Sequence, residues 1–108
     1  MPSVDLSTRE WDGHVVVALR GELDLADAAS VAAALTEVVA RAPQIIVDLA
    51  ALEFIDSSGV AALAHGRRQA RLAGGDLVLA GPRQQVLKVL VITRLADAFS
   101  IRASVAAA

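Results

Sequence analysis

The 108-residue chain has no cysteine and no tyrosine. Without thiols, disulfides, zinc–thiolate sites and cysteine nucleophiles are excluded. Aromatic rings are nearly absent: Trp11, Phe54 and Phe99 are the whole supply. The core must therefore be built from Ala, Val, Leu and Ile. No excess of positive charge exists either, since the formal net charge is −2. That balance argues against a nucleic-acid partner, which requires a basic stripe. No apolar run reaches the roughly 18 residues that cross a bilayer. The start, Met1-Pro2-Ser3-Val4-Asp5, has neither the basic nor the apolar region of a secretory signal. A soluble, cytoplasmic protein without a membrane partner is expected. What the chain does have is a 56% hydrophobic composition, enough for one compact domain over residues 1–108.

Period-two alternation from Val4 to Arg9 reads as a strand with one buried face. Asp12-Gly13 is a hairpin signal, because both positions tolerate positive φ, and His14 to Arg20 reads as the returning strand. Asp24 opens a first helix as its cap, with Asp27 favoured by the helix dipole. Val31, Leu35, Val38 and Val39 form its apolar stripe, and Pro43 marks its exit. Gln44 to Leu49 is a buried strand. A second helix runs from the Asp56-Ser57-Ser58-Gly59 stretch to about Ala73 and stops at Gly74-Gly75. Asp76 to Ala80 is a strand, Arg83 to Thr93 a third helix, and Phe99 to Ile101 a last short strand. The order β-β-α-β-α-β-α-β predicts an α/β domain with a mixed sheet of four to five strands, starting with a hairpin. Its helices lie chiefly on one side. The third helix is apolar nearly all round; one face covers the sheet, and its opposite side is either a partner surface or, the favoured reading, covered by the last strand and the tail. Trp11, at the hairpin tip, is expected as a rim contact.

Asp56-Ser57-Ser58-Gly59 is where chemistry can sit. A strand-to-helix junction exposes backbone N–H groups that favour anions. A hydroxyl here can cap the helix or be presented to a partner, and Gly59 lets another surface approach the backbone closely. An ordinary capped helix explains the same residues.

Phe54-Ile55-Asp56-Ser57-Ser58-Gly59-Val60, with Ile46-Val47-Asp48-Leu49 and Gly21-Glu22-Leu23-Asp24 before it, resembles the STAS domains, specifically the bacterial anti-sigma factor antagonists. The likeness extends to the Val86-Leu87-Lys88-Val89-Leu90 helix and Phe99, nearly the whole chain. The resemblance implies partner switching. An unphosphorylated antagonist binds an anti-sigma factor that is a serine kinase and so frees a sigma factor; phosphorylation at the position of Ser57 breaks the complex, and a serine phosphatase restores it. It also implies a contact surface formed by Asp24, Asp56, Ser57, Ser58 and Gly59, with no catalysis and no cofactor in the domain itself. A scaffold subunit of a transport or stress-sensing complex is the alternative on the same fold.

The chain departs from the family pattern in two places. Arg94 stands where glycine is common after the third helix, so that end is expected to be shaped differently. The final helix is cut to Ser104-Val105-Ala106-Ala107-Ala108, too short to be stable alone. With only two histidines, His14 in a strand and His65 on a helix, neither near another likely ligand in sequence, no metal is expected. No Gly-x-Ser-x-Gly elbow surrounds Ser57, and Gly81-Pro82-Arg83 lacks the remainder of a P-loop. Arg67, Arg68 and Arg71 read as a solvated helix face or as an interface with an acidic partner.

Overall fold

The computed structural model describes residues 4–106. The reading of the first three residues, and of Ala107 and Ala108 in the tail, lies outside them. Strands β1 (Val4–Trp11) and β2 (His14–Leu23) form the hairpin. Asp12 at φ 47 and Gly13 at φ 79 make its two-residue turn, so Trp11 lies opposite His14. Helix α1 (Leu25–Arg41), strand β3 (Gln44–Ile55), helix α2 (Ser57–Leu72), strand β4 (Asp76–Ala80), helix α3 (Gln84–Ile92) and strand β5 (Ile101–Arg102) follow. A single 3-10 turn, Ala96–Ala98, precedes β5. The sheet order is β1-β2-β3-β4-β5, antiparallel in the hairpin and parallel elsewhere.

β3 is longer than the sequence reading, which ends it at Leu49. The polar Asp48 does not terminate it, because its carboxylate accepts the Ala50 N–H at 3.0 Å while the register against β2 shifts. The strand passes this irregularity and continues to Ile55, pairing beyond Asp48 with β2 alone. β2 extends equally, to Leu23 opposite Ile55. Both strands therefore deliver their ends to the same edge of the sheet, where α1 and α2 begin.

The three helices cover one face. Val31, Leu35 and Val38 of α1, Val60 and Leu63 of α2, and Val86 and Leu90 of α3 join one core with Val17, Val47 and Leu79 of the strands. Each Leu taken fully from water contributes about 1.5–3 kcal/mol. Val39, expected on the α1 stripe, is only partly buried. The opposite face carries a small cluster of Val16, Ile46 and Ala80, against which Trp11, Val78 and Val105 pack. Trp11 is thus a packing residue of the second face and not a rim contact.

Two expectations at the C-terminal side are overturned. The outer side of α3 is uncovered: Leu87, Val91 and Ile92 are 37%, 59% and 78% exposed. Residues 103–106, which run in bends and turns, do not cover it, and Val105 packs on the other face of the sheet. Phe99 enters the main core, which moves the last strand on to Ile101–Arg102. The end of α3, by contrast, keeps the glycine-capped shape without the glycine. Arg94 adopts φ 61, donating its N–H to Val91 O at 3.0 Å, while Leu95 N–H reaches Leu90 O at 3.1 Å. The end of α2 has the same bonds, Gly74 to Arg71 O and Gly75 to Ala70 O, with Gly74 at φ 91.

Candidate functional site

The candidate site lies where the parallel strands end, and it is held by two aspartates. Asp24 caps α1: its Oδ1 accepts the Ala26 N–H at 3.0 Å. Asp56 caps α2, its Oδ1 accepting the Gly59 N–H at 3.0 Å. The second oxygen of Asp56 crosses to the neighbouring helix and accepts the Leu25 N–H at 3.1 Å. The Asp56 backbone N–H in turn donates to Leu23 O at 3.2 Å. One carboxylate therefore satisfies orphan donors of two helices, and the Asp56–Leu23 backbone bond adds a second tie between the two loops. Extended backbone at both aspartates (φ −121 and −110) is what a cap position requires.

Ser57 is the first helical residue of α2 and is exposed; Ser58 follows, half-buried. Neither serine makes a hydrogen bond to a described residue, through its hydroxyl or its N–H. The next two donors are used, Gly59 by the Asp56 carboxylate and Val60 by the Asp56 carbonyl at 3.0 Å. Two free N–H groups and the positive end of the helix dipole thus sit beside an accessible hydroxyl.

Gly59 has a different place from the one expected. It is buried, and the surface that approaches it belongs to the chain itself. A Cβ there would lie 2.7 Å from Ile55 Cγ1 and 2.8 Å from Leu23 Cγ. Its bare Cα lets α2 start against the β2–α1 connection and offers no room to an outside surface.

The rim is acidic and partly greasy. Glu22 and Glu53 are exposed near the strand ends, Asp24 and Asp56 are half-buried, and Asp27 is buried in the first turn of α1. Leu25, directly after Asp24, is 75% exposed, and Phe54, two residues before Asp56, is 46% exposed. Neither was recognised as an exposed contact from sequence. For Leu25 a signal exists: it falls off the Val31-Leu35-Val38 stripe, so an apolar side chain at the helix start faces water.

The remaining candidates are elsewhere. Asp76 accepts a hydrogen bond from Arg67 Nε at 3.1 Å and lies 3.7 Å from an Arg71 guanidinium nitrogen. The expected solvated arginine face is therefore partly tied down, with Arg68 left exposed. These arginines, with Ala64, Leu72, Ala98 and Phe99, line a cavity of about 340 Å³. His14 lies with its Nδ1 3.0 Å from Asp12 O, and His65 is half-buried on α2. Among the described residues no three His, Asp or Glu side chains group as metal ligands, and no helix is long and apolar enough to cross a membrane.

Comparison with known proteins bears on the family and the fold. Residues 5–108 match the STAS domain family. Over 63 residues the chain is 38% identical to the anti-sigma-F factor antagonist RsfB of Mycobacterium tuberculosis, covering 57% of this chain and 52% of that protein. The chain thus spans about half the length of the curated relatives it matches. An anti-sigma factor antagonist from Mycobacterium paratuberculosis superposes with a TM-score of 0.85 at 26% identity, over 95% of this chain and 88% of that one. The anti-sigma factor antagonist SpoIIAA in its unphosphorylated form gives 0.76 at 25% identity, over 90% and 87%. The phosphorylated form of the Bacillus protein shares the fold, with a TM-score of 0.69 at 24% identity and 90% of each chain covered.

Proposed function

The chain belongs to the STAS domain family, and from that premise we propose that it is an anti-sigma factor antagonist switched by phosphorylation of Ser57. Its role is regulatory, through partner switching, and not catalytic. In this reading the unphosphorylated form docks on an anti-sigma factor serine kinase through the edge that carries Asp24, Asp56, Ser57 and Ser58, with Leu25 and Phe54 as apolar contacts. A sigma factor is released, and a serine phosphatase resets the switch. All of this takes place in the cytoplasm.

The observation that carries the proposal is the exposed Ser57 hydroxyl at the first position of α2, beside two uncommitted N–H groups. A phosphoserine brings about −1.5 to −2 charge. The helix start favours such a charge by about 0.3–1 kcal/mol, while the neighbouring acidic side chains oppose it, so the fold is left nearly unchanged. The interface is affected far more. Turning a nanomolar complex into a micromolar one takes about 4 kcal/mol, which a desolvated phosphate or one set against a partner carboxylate supplies.

The test incubates the protein with candidate anti-sigma kinases and ATP and locates the phosphate by mass spectrometry. Incorporation at Ser57 is expected, and none in Ser57→Ala. Ser57→Asp is expected to bind the anti-sigma factor at least a hundredfold more weakly than the parent chain. Equal binding by Ser57→Asp and the parent, or phosphate placed elsewhere, would sink the reading. Capture of a membrane-transport protein without any phosphate transfer would move the chain to the scaffold class.

A further inference from the structure

The two edges of the sheet are unlike. β5 closes one edge with two residues, whereas β1 lines the other with eight. Edge strands are normally blunted by shortness, charged side chains, proline, bulges or cover, and of the first four β1 carries only charge. β1 contains no proline, and its register against β2 runs unbroken from Val4 to Trp11. Asp5, Ser7, Thr8, Arg9 and Glu10 are exposed. One side of its backbone pairs with β2, and among the described residues no strand lies beside the other.

The strand is also complementary to itself. Asp5 and Arg9 stand two residues on either side of Ser7 and, by the period of two, on the same sheet face as it. A second copy laid antiparallel about Ser7 sets Asp5 of each chain opposite Arg9 of the other, and Leu6 opposite Thr8. Pairing about Asp5 or Arg9 would oppose like charges. Pairing about Leu6 or Thr8 would place Asp5 or Arg9 against a serine. Only the Ser7-centred register matches both charges, and opposite charges directly across an antiparallel pair are stabilising. Neither Asp5 nor Arg9 is in an ion pair with a described residue. From this free edge and its charge pattern we infer that β1 is a self-recognition strand. Two copies join their sheets across a twofold axis at Ser7, as an isologous contact requires.

The experiment uses the full chain. Sedimentation velocity from micromolar to millimolar protein is expected to show a monomer–dimer equilibrium. Asp5→Arg alone weakens it by about tenfold, as does Arg9→Asp alone, and the double variant Asp5→Arg/Arg9→Asp restores it. Because the chain has no cysteine, Ser7→Cys introduces a single thiol. Under mild oxidation it is expected to form a disulfide-linked dimer faster than Ser30→Cys, an exposed position on α1. A monomer at millimolar concentration overturns the inference. So does a dimer that ignores the charge reversals, or one that is lost on Leu87→Glu/Ile92→Glu and not on Asp5→Arg, which places the contact on α3.

Discussion

α2 starts at Asp56, whose carboxylate takes N–H groups from two helices, and stops at Gly74, a residue suited to its φ of 91. α3 starts at Arg83, which makes no side-chain cap bond and instead sends its guanidinium Nε to Ala50 O at 2.9 Å. It stops at Arg94, held at φ 61 against the preference of an L side chain. The same terminal geometry is thus specified locally in one helix and imposed by packing in the other. α2 carries the proposed switch, and its start is fixed by hydrogen bonds within the chain, the Asp56 carboxylate accepting from Gly59 and from Leu25. α3, only nine residues long, depends on the burial of Val86 and Leu90.

The sharpest way to break the contrast is to remove what holds α3. Leu90→Ala is expected to cost about 2–5 kcal/mol, measured as a lower urea midpoint, and hydrogen exchange should show α3 amides losing protection before those of α2. Equal loss in both helices would mean that α3 is no more dependent on packing than its neighbour. Next in size is Asp56→Ala. One lost cap costs about 0.5–2 kcal/mol, and Asp56 also bonds the start of α1, so its loss should exceed that of Asp24→Ala in the same denaturation assay. The smallest effects are at the other helix ends and have opposite signs. Arg94→Gly is expected to raise stability by about 0.5–1 kcal/mol, and Gly74→Ala to lower it by about 1 kcal/mol.

Much of this was legible before any coordinates, because it is written in short-range chemistry. Asp12-Gly13, the Asp24 and Asp56 caps, Gly74-Gly75 and the Val31-Leu35-Val38 stripe each mark their element without help from the rest of the chain. The misreadings concern residues whose role depends on distant partners. The third strand reads as ending at Leu49, since nothing in the local sequence says that the Asp48 carboxylate bonds Ala50 while β2 continues alongside. Gly59 looked like space for a visitor, and Leu23 and Ile55 fill it. The uncovered side of α3 depends on which face the tail takes: Val105 packs on the second cluster, and its carbonyl accepts from the Arg102 guanidinium at 3.4 Å. At the site, the cap residues were readable from their types. The crossing of Asp56 to Leu25 was not, because the two residues are 31 positions apart.

Trp11 turns the second sheet face into an optical window. It is the chain's sole indole, lodged at the hairpin end against Val16, Ile46 and Ala80 on the sheet face opposite the main core. Its fluorescence therefore follows the hairpin, while far-ultraviolet circular dichroism follows the helices. Superimposed melting curves from the two signals would mean that the sheet communicates through its full thickness, and separated curves would time the order in which its two sides come apart.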